Sequence, residues 1–226
     1  MMNNNFTLIV PAASNSPSET LPDIFKLDDN GVMKCLSSIL AFGKNLNNCK
    51  QIFITILSED SQKFNLRRMI ETQSAFLNLN INVVEIVKST SQADTIYRTI
   101  RRENIKGPIF IKDADGLFTF DEDLWVQNGV TIYPIENLKL LSPQNKSYVT
   151  IDDMELITNI IEKHVISNYI NVGGYCFEDA DEFVKYYLKL KDNDWLHISH
   201  IIYNMLLDGK IFRPFFVNNF IDFTIV

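Results

Sequence analysis

Pro108-Ile109-Phe110-Ile111-Lys112-Asp113-Ala114-Asp115-Gly116 is an apolar run that passes directly into two carboxylates one residue apart. A short apolar segment bounded by Pro and by an Asp/Gly turn reads as a buried strand followed by a sharp change of direction. The same grammar recurs toward the N-terminus. Phe6-Thr7-Leu8-Ile9-Val10 is a strand-length run that breaks at Pro11 into a loop of small residues. Val32, Cys35, Leu36, Ile39 and Leu40 follow at helical spacing, with Gly43 as the stop. Residues 51–57 and 81–87 read as a second and third strand, and 61–77 and 93–102 as helices. Strands alternating with helices predict an α/β fold with a mostly parallel, right-handed wound sheet. Ligands of such sheets bind beyond the carboxyl ends of the strands, which points to the loops after Val10 and Ile111.

The second half is mixed. Residues 129–135, 147–151, 155–161 and 169–177 read as strands, 178–191 and 198–208 as helices, and 211–217 and 220–223 as short closing strands. This part is expected to lie across the binding edge of the first. No repeat or linker divides the 226 residues, so one domain is expected, with halves 1–116 and 117–226. A net charge of -7 leaves no broad cationic footprint for a nucleic acid. No basic n-region precedes the apolar Phe6 run, and no apolar run reaches the roughly 18–20 residues of a membrane span. Cys35, Cys49 and Cys176 are too scattered for a disulfide framework or a zinc site. A cytoplasmic protein is the expectation.

Asp113 and Asp115 offer oxygen ligands to a hard divalent cation; Mg²⁺ takes one or two carboxylates and fills its octahedron with water and substrate phosphates. An acidic turn in solvent is the plain alternative. Glu162-Lys163 and Gly173-Gly174 form a second constellation: a cation for a phosphate monoester, a carboxylate for ligand hydroxyls, and glycines that let a ligand approach the backbone. A surface ion pair and a glycine turn are the plain readings there.

Taken in order, these segments resemble the sugar-phosphate nucleotidyltransferases, a family with a Rossmann-like, GT-A-type fold. Leu8-Ile9-Val10-Pro11-Ala12-Ala13 resembles the opening strand and loop, and Leu21-Pro22-Asp23-Ile24-Phe25-Lys26 with Gly31-Val32-Met33 the entry to the first helix. Gln92-Ala93-Asp94-Thr95-Ile96 is similar to the segment flanking the nucleotide. Residues 111–118 resemble the metal turn, Ile161-Glu162-Lys163 through Phe177 the sugar-phosphate site, and Phe220-Ile221-Asp222-Phe223-Thr224 the late "I-D-W-G-T" segment. The resemblance implies transfer of a nucleotidyl group from an NTP (CTP, UTP or dTTP) to a phosphorylated small molecule. It implies Mg²⁺ held by Asp113, Asp115 and Asp222, and phosphate contacts from Lys26 and Lys163. It also places the nucleotide along Pro11, Ala12, Ala13, Ser14, Asn15, Ala93, Asp94 and Thr95, and the acceptor along Glu162, Lys163, Gly173 and Gly174.

The sequence departs from that pattern on the nucleotide side. Ser14-Asn15-Ser16-Pro17-Ser18 stands where the family has a "G-x-G-x-R" loop, Asp23 stands in place of a Lys, and Thr224 in place of a Gly. A family member that binds without transferring, and a GT-A glycosyltransferase that uses its D-x-D turn on a nucleotide-sugar, are therefore weighed beside the transferase. The chain ends four residues past Asp222, which leaves room for a longer natural product. His197 and His200, three apart on an expected helix, read as a packed or surface pair, and Phe215, Phe216 and Phe220 offer an oligomer contact.

Overall fold

A computed structural model describes residues 4–14, 16–138, 145–193 and 196–223. Strand β1 (Phe6–Pro11) is buried along its whole length and pairs in parallel with β2 (Cys49–Leu57). Between them lies α1 (Lys34–Leu40). After β2 come α2 (Ser58–Phe64), α3 (Leu66–Phe76) and β3 (Ile81–Ile86), which adds in parallel to β2. Helix α4 (Gln92–Glu103) returns the chain to β4 (Ile109–Lys112), parallel to β1 on its other side.

Burial on both faces explains why β1 and β4 are continuous apolar runs rather than alternating ones. Phe6, Leu8 and Val10 pack with α1 and α3, while Ile9 packs with α4 on the opposite face.

Beyond β4 the chain turns through Asp113–Asp115 into β5 (Gly116–Thr119) and leaves the main sheet. It comes back as β6 (Gly129–Pro134), β7 (Ser147–Ile151), β8 (Ile157–Glu162) and β9 (Tyr169–Phe177). Then follow α5 (Ala180–Leu190), α6 (Ile198–Leu207), β10 (Arg213–Phe216) and β11 (Asn218–Asp222). The main path of the nine-stranded sheet runs β10-β6-β9-β4-β1-β2-β3, with β7 and β8 attached through β9. Strand β9 is antiparallel to both of its neighbours on this path; the other contacts along it are parallel. The fold is thus the expected α/β, mostly parallel wound sheet with a mixed second half, and the sheet is continuous across the boundary at residue 116. Among the described residues, no helix is long and apolar enough to cross a membrane.

Four local expectations shift. The helix expected over 61–77 is two helices, α2 and α3, because Asn65 adopts a left-handed φ of 57° at their junction. Asn tolerates that conformation at modest cost. The strand expected from 155 begins at Ile157: Asp152 accepts the N–H groups of Met154 and Leu156, closing a turn in which Glu155 has a φ of 57°. Strand β5 was not expected at all. Of the three late phenylalanines, Phe215 packs on Phe110 and Phe220 on Tyr133, and only Phe216 stays half exposed.

Candidate active site

Two clefts open at the carboxyl ends of β1 and β4, and Gln92 and Asp115 line both. Pro11, Ala12, Ala13 and Ser14 form the floor of the first. Ala12 continues the β1 ladder by donating its N–H to the Thr55 carbonyl (2.8 Å), and its short side chain leaves the space above open. Among the described residues, the other charged one on this cleft is Asp60. Its carboxylate accepts the Ser18 N–H at 2.7 Å, while Lys63 donates to the Ser18 carbonyl at 2.9 Å. The loop after Ser14 is therefore pinned to α2. Asn15, expected on this cleft, lies outside the described residues, as does Thr224.

Several expected residues are elsewhere. Lys26 lines neither cleft: it pairs at 2.5 Å with Asp23, three residues earlier on a single 3-10 turn, and both side chains face solvent. Ala93, Asp94 and Thr95 are buried inside α4 and do not reach the cleft either. Ser91 caps that helix by accepting the Asp94 N–H. The Asp94 carboxylate is taken up by the Thr90 N–H, Arg98 and the Tyr187 hydroxyl at 2.8–3.0 Å. Gln92 is the residue of this segment that faces the ligand space.

The second cleft gathers Asp113, Asp115, Asp222, Glu162 and Gly173. Strand register explains the convergence. Lys112 pairs with Gly174 across β4 and β9, which brings Gly173 beside Asp113, and the Asp113 N–H donates to the Gly173 carbonyl at 2.7 Å. Asp222 pairs with Gly116 across β11 and β5, and the Phe223 N–H donates to the Asp115 carbonyl at 2.8 Å. Ser147 pairs with Glu162, whose carboxylate accepts hydroxyls from Ser147 and Ser199.

Gly173 has a φ of +85°, and a Cβ there would sit 2.5 Å from Asp113 Oδ2, so glycine is required for both conformation and space. Gly174 points away from the cleft toward Thr131 and Phe118; its role is close packing within the sheet.

Lys163 is also outside. It has a φ of 59°, is exposed, and turns the chain away at the end of β8. Lys146, which belongs to none of the motifs above, lines the cleft instead and pairs with Asp222. Its backbone carbonyl accepts the Lys163 N–H at 3.0 Å. His197 lines the same cleft, edge to face with His200 at 5.4 Å; the His197 N–H donates to His200 Nδ1, and the pair caps α6.

A second lysine braces the acidic turn from behind. Lys112 is fully buried, with Nζ donating to the carbonyls of Asp113 (2.7 Å) and Gly116 and lying 4.5 Å from the centroid of the Phe118 ring. Burial pulls its ammonium down to about 8, opposed by Asp113 and Asp115. Burial, reinforced by the Asp115 charge, pushes the Asp113 carboxyl up to about 7, against Lys112 and a 2.6 Å hydrogen bond from Gln92.

Among the described residues no three His, Cys, Asp or Glu side chains converge as a preformed metal cage. Asp113, Asp115 and Asp222 nevertheless line one cleft as hard oxygen donors that could serve a divalent cation, and Asp115 lines the other cleft as well.

This architecture has close counterparts among solved structures. The nucleoside-diphosphate-sugar pyrophosphorylase from Vibrio cholerae RC9 superposes with a TM-score of 0.73 over 93% of this chain and 91% of that chain, at 13% identity. The inositol-1-phosphate CTP transferase from T. maritima gives 0.71 over 97% and 89%, at 15% identity. The fold is that of the sugar-phosphate nucleotidyltransferases. A UDP-glucose pyrophosphorylase complexed with UDP-glucose agrees, at 0.69 over 95% and 92% with 14% identity. No protein-family model and no curated protein matches the sequence itself. On the nucleotidyltransferase fold, the two clefts lie beyond the carboxyl ends of the strands, where an α/β sheet places its ligands.

Proposed function

We propose that this protein transfers a nucleotidyl group from an NTP to a sugar 1-phosphate or a similar phosphorylated metabolite. An acceptor phosphate oxygen attacks the α-phosphorus, a new P–O bond forms, the bond to the β-phosphate oxygen breaks, and pyrophosphate leaves. The pyrophosphorylases and the CTP transferase that share the fold support this reading. The observation that carries it is the sharing of Asp115 by two clefts, one floored by Ala12 and Ala13 and the other lined by Glu162 and Gly173.

The nucleophile is already anionic, so no general base is needed and catalysis rests on positioning and charge neutralisation. Asp115 and Asp222 would hold Mg²⁺, whose contribution when bound is to offset the negative charge where the two phosphates meet. Ala12 and Ala13 leave room for base and ribose. Gln92 spans the junction and holds Asp113 in place. Glu162, oriented by two serine hydroxyls, accepts from acceptor hydroxyls. CTP, UTP and dTTP all fit this description, and supply of a nucleotide-activated sugar for surface-polysaccharide assembly is the role it suggests, in a cytoplasmic enzyme.

Pyrophosphate release across the four NTPs and a panel of sugar 1-phosphates and non-sugar phosphates, with Mg²⁺, tests the proposal. Release for one pair, lost in Asp115→Asn, is the expected result.

One observation favours a second reading, a binding protein that no longer transfers. The described lining of the first cleft holds Asp60 and Asp115 and no Lys or Arg, which suits a triphosphate poorly. Silence across the panel, with a thermal shift for a phosphorylated acceptor and none for any NTP, would establish that reading instead.

A further inference from the structure

We infer that Lys146 holds the phosphate of the acceptor, with Asp222 as its counter-ion while the cleft is empty of ligand; this rests on the acceptor cleft proposed above. Charge is the first ground. Asp113, Asp115, Glu162 and Asp222 line that cleft, so a phosphate entering it meets an acidic lining that a cation has to offset. Among the described lining residues, Lys146 is the one Lys or Arg. Lys112 cannot serve, because its Nζ sits behind the turn and is committed to two backbone carbonyls.

Geometry is the second ground. The Lys146 backbone is fixed at the start of β7 by the Lys163 N–H, while its side chain crosses to β11 and reaches Asp222 beside Phe220. Its side chain is 20% exposed and that of Asp222 only 9%, so Lys146 is the more accessible member of a largely desolvated pair. An ammonium has three donors on a flexible stem. Asp222 engages one, leaving others for phosphate oxygens without breaking the pair. Lys163, although its N–H bonds the Lys146 carbonyl, has its backbone in the left-handed region, is exposed and does not line the cleft.

Phosphorus-31 NMR titration with inorganic phosphate and with glucose 1-phosphate, in EDTA, tests the assignment without requiring turnover. Lys146→Gln keeps a donor for Asp222 and so protects the fold while removing the charge; Lys146→Ala is the harsher companion. Both are expected to weaken glucose 1-phosphate about tenfold or more, the loss of a charged hydrogen bond. Lys163→Ala is expected to stay within about twofold, as an exposed charge should. Asp222→Asn removes a carboxylate next to the ligand and frees the ammonium, so phosphate binding should tighten. Weakening by Lys163→Ala with Lys146→Gln unchanged overturns the assignment, and so does the failure of both probes to bind the wild type. Binding that depends on Lys146, with no pyrophosphate released from any NTP, upholds Lys146 and removes the transferase reading alone.

Discussion

Replacing Gly173 with Ala should couple the stability of the fold to the side chain of Asp113. The new Cβ would stand 2.5 Å from Asp113 Oδ2, 2.6 Å from its Cβ and 2.7 Å from its Cγ, at a backbone φ of +85°. The conformation alone costs an L-residue about 1–2 kcal/mol. The collision adds about 1–3 kcal/mol, because Asp113 is held by Gln92 and by the β4–β9 ladder and has little room to withdraw. The expected loss is therefore about 2–5 kcal/mol, read as a lower urea midpoint with an unchanged m-value. On the proposed function, pyrophosphate release should fall with it, since Asp113 lines the acceptor cleft. The second variant is Asp113→Gly, which deletes all three clashing atoms. In the double variant the collision disappears and only the backbone strain remains, so it should be more stable than the sum of the singles by about 1–3 kcal/mol. Additivity within about 0.5 kcal/mol would refute the steric reasoning and leave backbone strain as the whole effect.

Asp94 should shape the acid limb of stability. Burial raises its pKa, but Arg98, the Thr90 N–H and the Tyr187 hydroxyl together outweigh burial and hold it below 3.8. A depressed carboxylate stabilises above its unfolded value and loses that contribution as pH falls through its folded value. Asp94→Asn should thus destabilise at neutral pH by about 1–3 kcal/mol and flatten the loss below pH 3.8, read by urea titration across pH. Asn65→Gly should be neutral or slightly stabilising and Asn65→Val should cost about 1–2 kcal/mol, because only the left-handed φ of 57° joins α2 to α3; equal effects in thermal melts would remove this explanation. Asp23→Lys should release Lys26 and put a cation between Pro22 and Ile24, which line the first cleft, raising NTP affinity about tenfold in calorimetry. No change in NTP affinity would mean that Asp23 does not limit the nucleotide side.

The parts of this fold legible in the sequence were those encoded locally. The runs at β1 and β4 are apolar on both faces because both faces are covered, and Asp113-Ala114-Asp115 announces its turn by composition. What stayed hidden depended on distant partners or on one dihedral. Strand β5 is four residues long and exists through β11, about a hundred residues away. The place of β9 between β4 and β6 is a matter of tertiary pairing. Glu162 and Lys163 look like one unit, yet the positive φ of Lys163 sends the two side chains to different surroundings. Lys146 stayed hidden for the same reason, because the pairing of Ser147 with Glu162 is what places residue 146 at the cleft end of β7.

The two clefts divide their electrostatics unequally, and the proposed chemistry explains why that is workable. An acceptor monoester would arrive with its own negative charge and meet Lys146 among the carboxylates of its cleft. A triphosphate arriving at the first cleft meets small side chains, Asp60 and Asp115, with Lys63 turned to the Ser18 carbonyl and Lys26 to Asp23. Its compensation has to come from main-chain N–H groups and from a cation that accompanies it. On the proposed function Asp115 would receive that cation, since it lines both clefts while Lys112 fixes the turn beneath it. On this reading the altered loop after Ser14 weakens the grip on the nucleotide, while the apparatus at the junction, where the new bond would form, is left in place.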